Sequence, residues 1–133
     1  MTENEIAKIV VDLSVKLHVR FGPGLHERVY AVVLTHELRK HGLHVEREVS
    51  VPIRYENIVF EEGFKADIIV EEKLILELKV VEDLAPVHRR QLLTYLRLLD
   101  LKLGLRLNFG ENYMKDGIVR IVNGLDEERI SDT

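Results

Sequence analysis

Apolar residues at helical spacing fill the first part of the chain. Thr2 and Glu5 match a capping box, a pattern that opens many helices. After them the apolar positions recur every three or four residues: Ile6, Ile9, Val10, Leu13 and Leu17. This helix is predicted to end near "FGPG", because the glycines on either side of Pro23 break it.

Two further helices are predicted later in the chain. One runs from Leu25 to His41, with Gly42 as its C-terminal cap and three residues near its core face: Val29, Val33 and Leu38. The other opens at Pro86, since proline is favoured in the first turn of a helix. Its core stripe consists of Leu92, Leu96 and Leu99.

Between the second and third helices the pattern changes to the alternation of strands. Three strands are predicted in "HVEREVSVPIRYE", "NIVFEEGFKADIIV" and "KLILELKVV", with a turn around Glu62 and Gly63. After the third helix, "LKLGLRLNFG" reads as another strand and "DGIVRIVNG" as a short strand or helical turn. This order predicts an α/β (α+β-like) fold around one mixed sheet.

Length and composition narrow the class of protein. The 133 residues predict one domain over residues 1–125, followed by a polar tail over residues 126–133. The absence of cysteine excludes disulfides and thiolate metal sites, and it fits a cytoplasmic location. The N-terminus does not resemble a signal peptide and no apolar run is long enough to span a membrane, so no membrane partner is expected. A net charge of −4 means that nucleic-acid binding would need a local basic patch.

Charged residues interrupt the second and third predicted strands. Alternation along "KLILELKVV" separates an apolar face from a face that carries Glu77 and Lys79. On the preceding strand, Asp67 is expected to share a face with Lys65 and Ile69. A three-residue loop between the strands would place Asp67 directly opposite Glu77.

Two facing carboxylates repel each other, and a divalent cation that accepts oxygens from both resolves the conflict. Lys79 would then stand beside a metal-bound water or a phosphate. This arrangement suits metal-assisted phosphodiester hydrolysis. The alternative is an internal salt bridge between Lys79 and Glu77 or Asp67, although buried pairs contribute little to stability and three such groups favour a function.

Several motifs, in order, resemble those of one protein family. "GLHERVY", from Gly24 to Tyr30, resembles the GxxExxY motif, and Asp67 followed by "ELK" resembles the D…(D/E)xK signature. The other matching segments are "ELRKHGL", "GFKADIIV", "LELKVVE", "QLLTYLRLL" and "GLRLNFG". From about Ile6 to Asn123 the chain resembles the GxxExxY family of the PD-(D/E)xK nuclease superfamily.

The resemblance implies a restriction-endonuclease-like core, in which helices flank a mixed sheet with a three-stranded antiparallel meander. It implies a Mg²⁺ site, in which Mn²⁺ could substitute, with these ligands: the carboxylates of Asp67, Glu77 and Glu27 and the backbone carbonyl of Leu78. Lys79 is then the catalytic lysine, and Gln91 matches a glutamine found at the site of many members. Ala66 stands where the superfamily's name has proline, and small residues are common there.

Other residues permit both functional and structural interpretations. Tyr30 could contact a ligand beside Glu27, or it could pack on the core beside an exposed glutamate. Tyr95 shares a helix stripe with His88 and Gln91, a stripe that could face Lys79 or lie at a solvated edge. Three arginines could contact phosphates, although such a run is more often a solvated face: Arg89, Arg90 and Arg97. The six histidines show no zinc spacing and are expected at the surface.

The sequence therefore predicts a Mg²⁺-dependent nuclease, acting on DNA rather than RNA, with Asp67, Glu77, Lys79 and Gln91 as catalytic residues. Tyr30, Arg90 and Tyr95 are the predicted substrate contacts. The alternative is a non-catalytic module that binds nucleic acid or protein and retains the nuclease fold. Self-association as a homodimer through exposed edges, including the apolar strand "LKLGLRLNF", is compatible with either hypothesis.

Overall fold

The computed structural model describes residues 1–82 and 86–125, including the backbone but not the side chains of residues 86–88. The predicted polar tail over residues 126–133 lies outside the described residues. The chain forms, in order, α1 (Glu3–Phe21), α2 (Glu27–Lys40), β1 (Val45–Tyr55), β2 (Ile58–Val70), β3 (Leu74–Lys79), α3 (Pro86–Leu99), β4 (Leu103–Asn108), a 3₁₀ turn (Met114–Gly117) and β5 (Ile118–Val122). No helix in the described part of the chain has the length and apolar character needed to cross a membrane.

The five strands form one mixed sheet in the order β1-β2-β3-β4-β5. The first three make an antiparallel meander, as predicted, and β4 pairs in parallel with β3 after the crossover through α3. β5 then closes the sheet in the antiparallel direction. The strand "LKLGLRLNF" contains β4, which lies inside the sheet between β3 and β5. This apolar strand is therefore not itself an exposed edge.

The helix ends follow their local chemistry. Thr2 accepts a hydrogen bond from the backbone of Glu5, whose side chain binds the backbone of Thr2, so the predicted capping box is present. At the end of α2, Gly42 adopts φ of 80°, a conformation that favours glycine. The predicted core face of α2 is partly wrong, because Val29 is exposed. The buried face instead consists of Tyr30, Ala31, Leu34, Thr35 and Leu38.

The predicted turn at Glu62 and Gly63 is also wrong, because β2 continues through both residues. The hairpin between β1 and β2 turns at Glu56 and Asn57 instead. Gly63 serves a different purpose: a Cβ atom at this position would lie 2.3 Å from Cγ1 of Ile53. The glycine therefore lets the Ile53 side chain lie across the neighbouring strand.

Two apolar clusters cover the two faces of the sheet. The larger cluster packs α1 and α2 against even-numbered residues of β3, including Leu74, Leu76 and Leu78. The smaller cluster packs Leu92 and Leu96 of α3 against Ile75 and other residues of the opposite face. The central strand β3 is therefore buried on both sides.

Candidate metal and phosphodiester site

β2 and β3 bring the two predicted carboxylates together. Their ladder pairs Ile68 with Leu76 and Val70 with Leu74, across a turn at residues 71–73. The predicted three-residue loop is present, and the Asp67 carboxylate lies close enough to raise the pKa of Glu77. The ladder between the two strands ends at Ile68, so the direct pairing of Asp67 with Glu77 stays a prediction.

The predicted alternation along β2 does not hold at Asp67. Ala66 and Ile69 pack in the cluster under α3, whereas Ile68 packs in the cluster under α1 and α2. The alternation therefore shifts by one residue, next to Glu48 of β1, whose φ is 51°. Asp67 consequently does not share the face of Ile69 as predicted, and it lines a cavity beside the start of α2.

A backbone hydrogen bond fixes the Asp67 side chain. The backbone N–H of Leu78 donates to Oδ2 of Asp67 at 2.9 Å. This bond connects the Asp67 carboxylate to β3, because Leu78 is the residue between Glu77 and Lys79 on that strand. Leu78 lines the same cavity as Asp67, and the role of its carbonyl as a ligand stays a prediction.

Glu77 is the most perturbed acid of the site. Its side chain is 7% exposed, and burial together with the Asp67 carboxylate raises its pKa from 4.5 to about 8. A hydrogen bond to the Asp67 backbone and the charges of Arg106 and Lys79 lower that pKa without offsetting the rise. Without a bound cation, the site therefore favours the protonated, neutral form of Glu77 at neutral pH.

The unpaired atom of Glu77 indicates how its negative charge could be compensated. Oε1 is buried and has no hydrogen-bond partner among the residues that the structure describes. Buried acceptors without partners are rare and point to a bound group. A hard divalent cation binds carboxylate oxygens such as those of Asp67 and Glu77, so these residues fit the implied metal.

Arg106 belongs to the site although it was not predicted there. It is 2% exposed and pairs with Glu77 across the parallel β3–β4 ladder. Burial lowers the pKa of Arg106, while the carboxylates of Glu77 and Asp67 raise it. The signal was present in the sequence: the alternation that separates Glu77 from the leucines of β3 also separates Arg106 from the leucines of "LGLRLNF".

Tyr95 of α3 lies over this charged face. Its ring stacks on Phe64 with centroids 3.9 Å apart and planes 2° from parallel. Burial and the nearby charge of Glu77 raise the pKa of its hydroxyl, so the hydroxyl keeps its proton at neutral pH. The structure thus places this predicted residue within the electrostatic influence of Glu77, and its substrate contact stays a prediction.

Asn108 fixes the chain that follows Lys79. Its side chain accepts from the backbone N–H groups of Val81 and Gly110, both at 3.0 Å, and donates to the Val81 carbonyl at 2.8 Å. The Lys79 carbonyl accepts a further bond from the backbone of Phe109. This buried network holds the end of β3 in place, and with it the half-buried Lys79.

The segment "GLHERVY" positions Glu27 through Tyr30. Tyr30 is fully buried and stacks on Phe109 with a centroid distance of 4.3 Å. Its hydroxyl donates to the Gly22 carbonyl and accepts from the Leu25 backbone N–H. Of the two predicted roles, Tyr30 therefore has the structural one: it packs in the core and fixes the α1–α2 connection rather than facing a substrate. Glu27, in the first turn of α2, is exposed and lines the Asp67 cavity.

Replacing Tyr30 with phenylalanine should lower the free energy of unfolding by about 1–2 kcal/mol, because two backbone groups of the connection lose their partner. Urea unfolding measures the change, and Tyr55→Phe is the matched control, since Tyr55 is exposed on β1. Equal stability of Tyr30→Phe and the control would contradict this role for the hydroxyl.

Two other predicted residues lie on α3. Gln91 is exposed, one helical turn before Tyr95, and its catalytic role stays a prediction. The side chain of His88 lies outside the described part of the chain. Arg90 lines a cleft of about 330 Å³ between α3 and β5, together with Arg89, Leu93, Arg120, Ile121 and Val122. Arg90 is thus separate from the cavity that Asp67 lines.

The histidines differ in part from the prediction. His18 is buried, and its Nε2 lies 2.7 Å from the Glu111 carbonyl, so the prediction of surface histidines is wrong at this position.

Among the described residues, three exposed side chains bring metal-type ligand atoms within 4.8 Å of one another: His44, Glu46 and Glu72. Glu27, Asp67 and Glu77 do not form such a trio.

Comparisons with known proteins give a family match and a similar fold. The sequence model of a family described as "PD-(D/E)XK nuclease superfamily" matches residues 4–121. A solved structure titled "Crystal structure of SSO0001" superposes with a TM-score of 0.55 at 23% identity, which shows a shared fold. The match covers 80% of this chain and 55% of that chain. No curated protein sequence matches this chain. The predicted fold class is confirmed as a mixed α/β fold consistent with a restriction-endonuclease-like core.

Proposed function

Since the chain belongs to the PD-(D/E)XK nuclease superfamily, we propose that it is a metal-dependent nuclease that hydrolyses phosphodiester bonds at Asp67, Glu77 and Lys79. The observation that carries this proposal is the pair of neighbouring carboxylates on β2 and β3. Glu77 is buried beside Asp67 with a raised pKa and an unpaired oxygen. Such an arrangement is costly to fold and is typical of functional sites.

Asp67 and Glu77 would hold a divalent cation, with Glu27 and the Leu78 carbonyl as further ligands. When bound, the cation stabilises negative charge on the phosphate and lowers the pKa of its water. Lys79 lies on the strand face of Glu77 and donates hydrogen bonds to a water or a phosphate oxygen. Gln91 and the protonated Tyr95 hydroxyl are proposed to orient water and substrate on the α3 side. Arg106 limits the repulsion between the carboxylates.

The test is cleavage of DNA by purified protein and by Lys79→Met in the presence of Mg²⁺. We expect Lys79→Met to lower the rate about 100-fold or more, a typical effect for a group that moves or holds a proton in the reaction. Binding of Mg²⁺, measured by calorimetry, should persist, because the two carboxylates remain. Lys65→Met is the matched control, since Lys65 is exposed on β2. Equal rates for both variants would refute the assigned role of Lys79.

The second candidate function is a non-catalytic module that binds nucleic acid or protein. Its distinguishing result is metal-independent DNA binding that survives Asp67→Ala, combined with the absence of cleavage by the unmodified protein. Nothing in simple binding requires the buried Glu77 beside Asp67, so the geometry favours catalysis.

Finer features belong to the same proposal. Membership of the GxxExxY group is supported by the way Tyr30 fixes the connection before Glu27. Mg²⁺ is the proposed cation, with Mn²⁺ as a substitute, and DNA is the proposed substrate. A cytoplasmic location and a homodimer are also proposed. Such a dimer would have to use surfaces other than β4, because β1 and β5 are the edges of the sheet.

A further inference from the structure

The cavity beside Asp67 contains positive as well as negative side chains. It has a volume of about 190 Å³, and the charged residues in its lining are Glu27, Arg28, Arg47, Glu48 and Asp67. Three carboxylates and two guanidinium groups leave one net negative charge in its walls. A bound divalent cation would reverse that sign, so the occupied cavity would attract an anion.

Arg47 is the unusual member of this group. It lies on β1, pairs with Ile68 in the ladder and is half-buried next to Asp67. Its Nε is buried, and the side chain makes no hydrogen bond or ion pair with any described residue, although three carboxylates line the same cavity. A half-buried guanidinium loses hydration, and such groups are normally paired.

Arg28 adds a second cation to the lining of the cavity. It is exposed in the first turn of α2, and its side chain makes no ion pair within the described residues. Its backbone N–H donates to Nδ1 of His26, and the residue lines the cavity. A planar guanidinium matches the geometry of a phosphate group and can bind it through two parallel hydrogen bonds.

We propose that Arg47, together with Arg28, binds a phosphate group of the nucleic-acid substrate next to the carboxylate of Asp67. This inference rests on the nuclease function proposed above and extends it, because it assigns a phosphate subsite to the side of the site that Lys79 does not occupy. The phosphate belongs either to an internal phosphodiester or to a strand terminus. Arg47 is a substrate-positioning residue in both cases.

The experiment measures DNA binding by fluorescence anisotropy in a Lys79→Met background, which is expected to bind without cutting. The probes are a single-stranded oligonucleotide and its duplex, each with and without a 5′-phosphate, in the presence and absence of Mg²⁺. Arg47→Gln should weaken binding in Mg²⁺ about 10-fold to 100-fold. It should also lower the slope of log K against log[salt] by roughly one, because one phosphate contact is lost. Arg47→Lys, which keeps the positive charge but loses the planar guanidinium group, should give an intermediate affinity.

Arg54→Gln is the control, because Arg54 lies on the same strand, exposed, outside the cavity. Its affinity should equal that of the background protein. If Arg47→Gln weakens binding of the 5′-phosphorylated probes more than binding of the others, the subsite binds a terminal phosphate. If it weakens binding of all probes equally, the subsite binds an internal phosphate. Unchanged affinity of Arg47→Gln, or a loss with an unaltered salt dependence, would overturn the proposal.

The same design separates this inference from the proposed catalysis. Calorimetry with Mg²⁺ alone should give similar affinities for Arg47→Gln and the unmodified protein, because the metal ligands remain. If the unmodified protein does not cleave DNA but Arg47→Gln still weakens Mg²⁺-dependent binding, the nuclease function fails and the phosphate subsite stands. If the protein cleaves DNA and Arg47→Gln leaves KM unchanged, the subsite fails and the nuclease function stands.

Discussion

Replacing Glu77 with glutamine is expected to abolish metal-dependent cleavage while leaving a folded protein. Glutamine has nearly the same shape and fills the same buried space, but it removes the negative charge that a metal ligand supplies. Metal stabilisation of the transition state amounts to several kcal/mol, so its loss should lower the rate by about 1,000-fold or more. A cleavage assay with excess Mg²⁺ measures the effect.

The control for this substitution is Glu61→Gln. Glu61 lies on the same strand as Asp67 but is exposed and does not line the Asp67 cavity. Its cleavage rate should match that of the unmodified protein. Circular dichroism and thermal unfolding should show both variants folded. Cleavage by Glu77→Gln within about 10-fold of the unmodified rate would mean that Glu77 is not a metal ligand in the reaction.

The second large effect concerns stability. Without metal, the protein should lose stability as the pH rises from about 4.5 to about 8, because Glu77 titrates near 8 in the folded state and near 4.5 when unfolded. Between these values the folded protein binds more protons than the unfolded chain, and the free energy of unfolding therefore falls with increasing pH. The contribution is on the order of a few kcal/mol.

Mg²⁺ should counteract this loss most strongly at alkaline pH. A carboxylate must be ionised to bind metal, so metal binding releases a proton from Glu77 below about pH 8. Thermal unfolding with and without Mg²⁺ at pH 5.5 and pH 8 tests the coupling. The rise in Tm caused by Mg²⁺ should be larger at pH 8.

Glu77→Gln provides the reference for both parts of this prediction. It should show a weaker dependence of stability on pH and little increase of Tm in Mg²⁺, and it should be more stable than the unmodified protein at pH 8 without metal. If stability depended on pH identically in the two proteins, groups other than Glu77 would cause that dependence. The buried Glu77 would then no longer support the proposed metal site.

The register of the site could be predicted because it depends on short-range rules. The length of the loop at residues 71–73 and the alternation of β3 together predict that Asp67 and Glu77 lie close together on neighbouring strands. The same alternation, applied to "LGLRLNF", would have indicated Arg106, whose ladder partner is Glu77. An interpretation of β4 as a purely apolar strand overlooks Arg106, whose face adjoins the charged face of β3.

Other features depend on backbone conformations that residue type does not indicate. The hairpin turns at Glu56, with φ of 52°, a conformation more often adopted by glycine or asparagine. Gly63 looked like the turn residue but serves a close approach by Ile53. Likewise, the positive φ of Glu48 accompanies the shift that turns Asp67 toward the cavity of Arg47. These positions decide which side chains meet, and only tertiary packing determines them.

The most direct measurement of the central claim is anomalous diffraction from crystals of the protein soaked in Mn²⁺. The proposed function predicts one ion bound by carboxylate oxygens of both Asp67 and Glu77, at roughly the 2.0–2.2 Å expected for a small divalent cation. The signal should be lost in Glu77→Gln crystals. Mn²⁺ bound only at the exposed group of His44, Glu46 and Glu72, with none between Asp67 and Glu77, would contradict the account.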